Sequence, residues 1–401
     1  MKVCVILEQR YRRTPNGAVW GDPACSHLFS FWSRYLTTFD GVRVVARVED
    51  VPSVPSDWRR ADGENVSFFP IPYYIGPYQY LRVAHQVKKA AQGAIAGEHA
   101  VVLRLWSQIA ATVVPLLCKT GHPYGVEVIG DPSDVFAPGA IHHPLRPFFR
   151  WLNSRRLRLQ CAGACSVAYV TKNTLQQRYP PVLNAFTTNY SSIELPTSAI
   201  VDRPRPINRA DNREFCVVTV GSLEHFHKGT DVLIDALGEC VRHGLNLRLV
   251  VLGDGKYRAG LESRANVAGL GNRVVFLGRV SGCANVRAEL DKADLFVLPS
   301  RTEGLPRAMI EAMARALPCI GSTAGGIPEL LPAEDMVPPG DAPLLSRKIR
   351  EMITSPQRMA HASARNLDKA QQYREEVLQQ RRVAFYRYLR EITRAWLRQS
   401  N

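Results

Sequence analysis

Short apolar runs alternate with longer segments of helical period along most of this chain. The second half contains five such runs, at residues 215–220, 247–252, 274–277, 295–299 and 319–320. Between them lie segments with apolar residues at helical spacing, at 230–240, 257–268, 284–291 and 307–316. Buried strands that alternate with helices are typical of a doubly wound parallel sheet.

The first half repeats this alternation less evenly. Its apolar runs lie at residues 2–7, 43–48, 66–69, 100–105, 126–129 and 166–171. The segment 187–213 is polar and contains Pro196, Pro204 and Pro206, which is typical of a linker. We therefore predict an α/β chain with two Rossmann-like domains of doubly wound parallel sheet, 1–195 and 196–375.

The remaining residues, 376–401, form a segment of helical period. Phe385, Leu389, Ile392 and Trp396 recur at helical spacing and require an apolar surface to cover. A helix beyond a completed sheet can cross back to the first domain. The periodicity does not separate this arrangement from packing on its own domain.

Composition excludes several classes of protein. The 401 residues are 46% apolar, enough for a large core, and no apolar run approaches the roughly 20 residues that span a bilayer. The chain begins directly with the run at 2–7, without a signal-peptide pattern, so we expect it in the cytoplasm. Nine scattered cysteines are expected to be reduced thiols, with no disulfide and no structural metal.

The formal charge of +15 favours anionic partners. The densest basic stretch runs from Arg146 to Arg158 and carries five arginines with Phe148, Phe149 and Trp151 among them. One interpretation is a helix on an anionic membrane at the inner face of the plasma membrane, or against a phosphate-linked acceptor. The other is an ordinary amphipathic helix with a solvated arginine face. No nucleic-acid-binding motif accompanies the charge.

The most informative segment is R-T-E-G-L-P-R-A-M-I-E, which follows the apolar run at 295–299. Pro306 suits a first helical turn, because its backbone is fixed and it lacks an N–H group. The segment therefore predicts a helix N-terminus at a strand end, where unpaired N–H groups favour an anion. Glu303 and Glu311 suit hydroxyl groups rather than a phosphate, so the predicted ligand is a phosphorylated sugar or a nucleotide sugar.

A second candidate is V-G-S-L-E-H-F-H-K-G-T, which lies between a predicted strand and a predicted helix. Lys228 is placed late in this loop, where its ammonium group can reach a diphosphate over the sheet edge. A lone lysine before an N-capping Thr230 would be a surface residue. Because the Glu303 loop follows another strand of the same sheet, binding is favoured. His225 and His227 are more typical of a polar loop than of a metal site.

Three weaker candidates complete the set. Gly325 and Gly326 allow close backbone approach to a phosphate, but paired glycines also mark plain turns. Gly17 belongs to a predicted flexible loop that can close over a phosphate or sugar. Asp131 and Asp134 follow the run at 126–129. One of them is predicted to touch the reacting sugar or accept a proton, and an Asp-Pro turn with a helix cap is the equal alternative.

Together, G-S-L-E-H-F-H-K-G-T, V-V-L-G-D-G, P-S-R-T-E-G-L-P-R-A-M-I-E and G-G-I-P-E-L resemble the motifs of the retaining glycosyltransferases of family four. The resemblance covers nearly the whole chain and is strongest over residues 217–341. It implies the GT-B fold, with an acceptor-binding first domain and a second domain that binds a nucleoside diphosphate sugar. It further implies retaining transfer of a hexosyl group to a hydroxyl acceptor in polysaccharide, glycolipid or glycoconjugate synthesis. It also implies no cofactor and no metal, since the nucleoside diphosphate sugar is the donor substrate.

The resemblance assigns a role to each candidate residue. Lys228 would bind the donor diphosphate, Glu303 the hydroxyls of the transferred sugar and Glu311 those of the ribose. The amides of Gly304 and Leu305 would face the phosphate or sugar.

The same resemblance places the rest of the donor. Backbone at Arg279 and Val280 would hold the base. Gly221 and Ser222 would line the donor at the start of the lysine loop, and Gly17 would close over it from the first domain.

Two departures from the family pattern keep alternatives open. Many members have an arginine where this chain has Ser222, which leaves the diphosphate charge to Lys228, or to Arg301 or Arg307. Many also have a histidine near the reacting carbon, for which Asp131 is the nearest candidate. The alternatives are a non-catalytic nucleotide-sugar-binding partner subunit, and an epimerase or phosphorylase on the same fold.

Overall fold

Parallel strands in two separate sheets form the framework of the chain. The structure, a computed structural model, describes residues 1–22, 25, 27–97, 99–137, 143–206 and 214–400. The first compact unit comprises Met1–Pro132, Trp151–Tyr190 and Gln379–Asn401, and the second comprises Ser133–Arg150 and Ser191–Leu378. The predicted α/β architecture with two Rossmann-like parallel sheets is confirmed.

Within the described residues, nine strands form the sheet of the first unit. They are β1 (Lys2–Arg13), β2 (Val19–Gly21), β3 (Gly41–Asp50), β4 (Arg59–Arg60), β5 (Val66–Ile71), β6 (His99–Leu105), β7 (Tyr124–Val128), β8 (Ser166–Tyr169) and β9 (Phe186–Asn189). Seven of them run parallel in the order β5-β3-β1-β6-β7-β8-β9. The central position of β1 explains why Val3, Val5 and Ile6 are completely buried.

β1 extends well beyond the predicted run at 2–7. Its register with β3 shifts between Ile6 and Arg10, and its last residues pair with the antiparallel strand β2. This extension is polar, so hydrophobic periodicity carried no signal for it. Sheet hydrogen bonds hold it instead.

The predicted flexible loop around Gly17 is the turn of the β1–β2 hairpin. The Gly17 N–H donates to the Thr14 carbonyl at 2.9 Å, and the Thr14 N–H donates to the Ala18 carbonyl at 3.0 Å. Gly17 has a φ of 82°, which favours glycine at this turn. A side chain at Gly17 would meet no atom within 4 Å, so the turn faces open space.

Six helices lie between these strands in the described part of the chain. They are α1 (Phe29–Trp32), α2 (Gly76–Ala94), α3 (Gln108–Thr120), α4 (Pro132–Val135), α5 (Arg146–Ala162) and α6 (Thr174–Arg178). The long helices α2 and α3 pack against each other.

The sheet of the second unit is entirely parallel, in the order β12-β11-β10-β13-β14-β15. Its strands are β10 (Phe215–Val220), β11 (Leu247–Leu252), β12 (Val274–Gly278), β13 (Leu295–Leu298), β14 (Cys319–Ser322) and β15 (Met336–Val337). Its helices are α7 (Thr230–Arg242), α8 (Arg258–Val267), α9 (Cys283–Lys292), α10 (Arg307–Ala314), α11 (Ala342–Ile353) and α12 (Pro356–Gln371). The five apolar runs predicted in this half are all strands, because their apolar residues fill a continuous core.

The last helix, α13 (Glu375–Ser400), returns to the first unit, to which residues from Gln379 onward belong. Phe385 and Leu389 are completely buried there, and the Tyr386 ring stacks on Tyr35 at 4.5 Å between ring centroids. None of the described helices is long and apolar enough to cross a membrane.

The segment predicted as a linker is ordered along the second unit from residue 191 to residue 206. Arg205 donates hydrogen bonds to the carbonyls of Leu290, Ala293 and Arg315 at 2.5–2.9 Å. Tertiary hydrogen bonds thus order a stretch without periodicity, and the chain passes from the first unit to the second between Tyr190 and Ser191, within the predicted linker. Strand β9 forms its beginning, and residues 207–213 lie outside the described residues.

Candidate active site

The candidate residues of the second half follow strands that end at one edge of a parallel sheet. The lysine loop follows β10, Arg279 and Val280 follow β12, and the Glu303 loop follows β13. In a parallel sheet all carboxyl ends lie at the same edge, and ligands bind there. The fold therefore gathers residues that are far apart in sequence.

Lys228 and Glu303 meet directly at this edge. The Lys228 Nζ lies 2.6 Å from the Glu303 Oε1, and the buried Ser300 hydroxyl donates to the same oxygen at 2.8 Å. The Glu303 side chain is 7% exposed and that of Lys228 is 26% exposed. An ammonium group has three donors, so Lys228 can hold Glu303 and still donate to an anion.

Two glycines make room for this contact. A Cβ on Gly221 would lie 2.8 Å from the Lys228 Cγ, so only glycine leaves the lysine side chain its path. Gly229 has a φ of +68°, and a Cβ there would lie 2.1 Å from the Pro299 carbonyl oxygen. Within the lysine loop, the Gly221 backbone therefore packs against the Lys228 side chain. The Gly229 backbone packs against the backbone at the end of β13.

Gly325 and Gly326 serve the Glu303 loop. A Cβ on Gly325, whose φ is +53°, would lie 1.9 Å from the Glu303 carbonyl oxygen. The Gly326 N–H donates to the Gly304 carbonyl at 2.7 Å. The predicted close approach is present, but it is made to the Glu303 backbone, which it holds in place.

The N-terminus of α10 lies next to Glu303. Pro306 is its N-cap residue and provides no side-chain cap. Within the described residues, the N–H groups of Gly304 and Leu305 have no hydrogen-bond acceptor. They form, together with the helix dipole, a site for negative charge.

Glu311 lies on α10 and is half-buried. Burial raises the pKa of its carboxyl group, and the nearby Arg307 and Arg287 oppose that rise. Its carboxylate accepts no hydrogen bond from the described residues. It is thus available to hydroxyl groups of a ligand.

The two arginines considered as a second cation differ in the structure. Arg301 forms a two-point ion pair with Asp231 at 2.7 and 2.8 Å and donates to the Phe226 carbonyl. These bonds tie the two loops together and occupy its guanidinium group. Arg307 is exposed near Glu311 and is the better placed of the two.

Ser222 takes part in a local turn. Its hydroxyl accepts a hydrogen bond from the Glu224 N–H at 3.3 Å, and the residue is exposed. Arg279 is exposed and Val280 is half-buried, directly after β12.

Asp131 of the first unit is deeply buried at the end of β7. Arg178 and Tyr179 donate hydrogen bonds to its two carboxylate oxygens. Burial, with a smaller contribution from Asp131, holds the pKa of Tyr179 above its usual value. These contacts favour a structural role, in which Asp131 fixes α6 to the end of β7. Asp134 lies in the short helix α4.

Residues 214–355, which contain Lys228, Ser300, Glu303 and Glu311, match the family model described as Glycosyl transferases group 1. Protein CapJ of Staphylococcus aureus is 28% identical over 359 residues, which cover 86% of this chain and 88% of CapJ. Sucrose-phosphate synthase of Thermosynechococcus elongatus has the same fold, with a TM-score of 0.71 and 17% identity. That match covers 97% of this chain and 99% of the synthase. Residues 214–355 are thus a group 1 glycosyl transferase domain, in a chain with the GT-B fold.

HepE of Anabaena, solved in complex with UDP and glucose, also has the fold of this glycosyltransferase. Its TM-score is 0.65 at 20% identity, and the match covers 96% of this chain and 98% of HepE. The GT-B fold therefore covers nearly the full length of the glycosyltransferase.

Sequence reasoning missed the serines that support Glu303. Ser300 and Ser322 are completely buried, and the Ser322 hydroxyl donates to the Ser300 carbonyl at 2.6 Å. A serine at the end of an apolar run is the only signal the sequence offers. Ordinary strand ends also carry serines, so this signal did not distinguish Ser300 and Ser322 from serines without a role in the site.

The histidines of the glycosyltransferase's lysine loop stack on each other. The rings of His225 and His227 lie 4.8 Å apart between centroids. Burial, aided by the charges of His225 and Lys228, lowers the pKa of His227 to about 4, so it is neutral near pH 7. Within the described residues, no group of three or more His, Cys, Asp or Glu side chains is placed to hold a metal ion.

Proposed function

We propose that the chain transfers a sugar from a nucleoside diphosphate sugar to a hydroxyl acceptor with retention at the anomeric carbon, as in family four. The contact of Lys228 with Glu303, beside the amides of Gly304 and Leu305, carries this proposal. A cation, two N–H donors and a hydroxyl-accepting carboxylate match a diphosphate joined to a sugar.

Each group acts on one part of the donor. Lys228 and the N-terminus of α10 bind the diphosphate, and Glu303 orients the transferred sugar through its hydroxyls. Glu311 accepts hydrogen bonds from the ribose, since its carboxylate is not occupied within the described part of the chain. Arg279 and Val280 hold the base at the neighbouring strand end.

The chemistry needs no nucleophile from the protein. The bond between the anomeric carbon and the diphosphate oxygen breaks while the acceptor oxygen bonds to that carbon from the same face. The proton of the acceptor hydroxyl passes to the departing phosphate oxygen. Lys228 and the helix N-terminus stabilise the negative charge that develops there, and this role takes the place of a metal ion.

Two residues of the first unit enter the proposal differently. Gly17, in a hairpin turn that faces open space, is assigned to donor binding by its resemblance to family four. Asp131 accepts hydrogen bonds from Arg178 and Tyr179, so we assign its carboxylate to positioning the end of β7.

The acceptor is proposed to be lipid-linked or anionic, in a polysaccharide, glycolipid or glycoconjugate pathway. The arginines from Arg146 to Arg158 support this assignment, because they suit an anionic surface such as the inner face of the plasma membrane. HepE, which shares the fold, was solved with UDP and glucose, and this supports a nucleotide-sugar donor.

Glu303→Gln tests the proposal. We expect turnover to fall roughly 100- to 1000-fold, because the amide retains the shape but loses the charge that orients Lys228 and the sugar. A screen of nucleotide sugars by thermal shift identifies the donor, since a ligand of the folded state raises Tm.

Glu289→Gln is the matched control. Glu289 pairs with Lys292 on the surface of α9 at 2.7 Å, so this change should leave turnover intact. Near-normal activity of Glu303→Gln would overturn the role of Glu303. A purified chain that binds a donor but releases no nucleoside diphosphate would favour the binding-subunit alternative, and interconversion of donors without an acceptor would favour an epimerase.

A further inference from the structure

Three helices of the first unit lie side by side, and hydrogen bonds join them. The Arg156 guanidinium on α5 donates to the Gln108 Oε1 on α3 at 3.0 Å. The Gln108 Nε2 donates in turn to the Tyr80 hydroxyl on α2 at 3.1 Å. The part of α5 from residue 151 onward belongs to this unit. These bonds fix α2, α3 and α5 as one surface, called here the three-helix surface.

The three-helix surface is cationic without compensation along its own helices. The sequences of α2, α3 and α5 contain no Asp or Glu. Their cations in the first unit are Arg82, Lys88, Lys89, Lys119, Arg155, Arg156 and Arg158. A solvated helix face usually mixes both signs, so this bias indicates an anionic partner.

Large apolar side chains are exposed among these cations. Tyr78 is 84% exposed, Leu81 72%, Trp151 57% and Leu159 59%. Leu81 and Lys88 are two turns apart on one side of α2, and Trp151, Arg155 and Leu159 follow one stripe of α5. The Arg155 guanidinium lies over the Trp151 ring at 5.7 Å. Cations that alternate with exposed aromatic and leucine side chains are typical of a helix in a membrane interface.

A groove of about 400 Å³ opens between the three helices. Its lining includes Lys88 and Arg156 as cations and Pro115, Val114 and Leu159 as apolar residues. A phosphate head group bound by the cations would place an apolar chain against the groove.

We infer that the three-helix surface docks the protein on a bilayer that contains anionic phospholipid, with one acyl chain seated in the groove. This inference builds on the membrane contact of the proposed function and extends it from one basic helix to three. A nucleic acid or a soluble polyanion would use the cations but would leave Leu81, Trp151 and Leu159 in water. The bilayer accounts for both sets of residues.

Vesicle flotation of the full chain tests the contribution of the cations to membrane binding. The native protein should float with phosphatidylcholine vesicles that contain phosphatidylglycerol, should not float with pure phosphatidylcholine, and should be released by salt. Lys88→Glu/Arg155→Glu should weaken binding at least tenfold. The control Arg59→Glu/Arg242→Glu makes the same charge change at exposed sites outside the three helices and should bind as the native protein does.

The variant Leu159→Asp and lipids with brominated acyl chains test the contribution of the apolar side chains to membrane binding. These lipids should quench native tryptophan fluorescence, with less quenching in Trp151→Phe, and Leu159→Asp should weaken flotation at least threefold. The inference is overturned if anionic vesicles do not bind the native protein, or if the control loses as much binding as the test variant. Displacement by heparin with no quenching by brominated lipid would overturn it in favour of a soluble polyanion.

Flotation and donor binding separate this inference from the proposed function. Lys88→Glu/Arg155→Glu should keep the native thermal shift with the donor, because neither residue lies in the second unit. Loss of flotation with an intact shift supports the surface whatever the reaction is. If no nucleotide sugar binds but flotation is normal, the proposed function is contradicted and the membrane inference is not.

Discussion

At the residue scale, the candidate site depends on groups that support Glu303 as much as on Glu303 itself. Ser300 donates to the same oxygen that Lys228 approaches, and Ser322 holds the Ser300 carbonyl. Neither serine needs to touch a substrate. Each fixes the geometry of a group that does.

Ser300→Ala should lower kcat about tenfold with little change in the donor KM, because Glu303 keeps its pair with Lys228 but loses its second anchor. The loss of one buried hydrogen bond should lower stability by about 1 kcal/mol. Steady-state kinetics and urea unfolding measure the two effects.

Ser322→Ala is the control for this prediction. Ser322 is equally buried but one bond further from Glu303, so a similar loss of stability should come with a smaller loss of kcat. Equal losses of kcat in the two variants would assign Ser300 to general stability only.

His227 should make stability depend on pH. Burial, aided by the charges of His225 and Lys228, lowers the pKa of His227 to about 4 in the folded state, against 6.5 as its usual value, and the charge of Glu303 opposes this shift. Between these values the unfolded chain binds a proton that the folded chain does not, so stability falls as pH decreases from about 6.5 to about 4. His227→Gln should flatten the fall of the urea midpoint measured between pH 7 and pH 4.5. A variant with the native slope would show that other groups cause it.

At the element scale, the C-terminal helix is a structural part of the first unit. The Phe385 side chain is completely buried in α13, and a Cβ on Gly125 of β7 would lie 2.8 Å from its ring. The glycine in the strand therefore makes the space that the ring occupies. Its sequence spacing predicted an apolar stripe, and the ring contacts identify what the stripe covers.

Phe385→Ala should destabilise the first unit by about 3–5 kcal/mol, because it leaves a cavity between α13 and the sheet. Amide hydrogen exchange in β7 reports this loss within the unit. Arg387→Ala, an exposed change on the same helix, should stay within about 0.5 kcal/mol of the native protein. Unchanged protection of β7 in Phe385→Ala would show that α13 is not needed there.

The same scale explains where prediction from the pattern failed. The polar end of β1 and the short strand β9 carry no apolar signal, and sheet hydrogen bonds alone define them. Arg205 orders the segment after residue 191 through carbonyls that are 88 and 85 residues away in sequence. Local periodicity contains no information about such distant partners.

At the scale of the whole molecule, the sequence determined the class of fold and the two main residues of the candidate site. Apolar runs of strand length must be buried, and a parallel sheet brings their carboxyl ends to one edge. Lys228 and Glu303 were therefore expected at the same edge, and the structure, in which β10 and β13 are neighbours, places the Lys228 Nζ 2.6 Å from the Glu303 Oε1. The motif order was enough to indicate the glycosyltransferase family.

Only the tertiary structure decided how each polar group is used. Arg301 is occupied by Asp231, Asp131 by Arg178 and Tyr179, and Gly325 packs on the backbone of Glu303. The tertiary structure also joined α2, α3 and α5 into one cationic surface. Hydrogen bonds and charge pairs depend on a few ångströms and on burial, and these are fixed when distant segments pack together. A linear pattern sets which residues are buried, but it does not choose their partners.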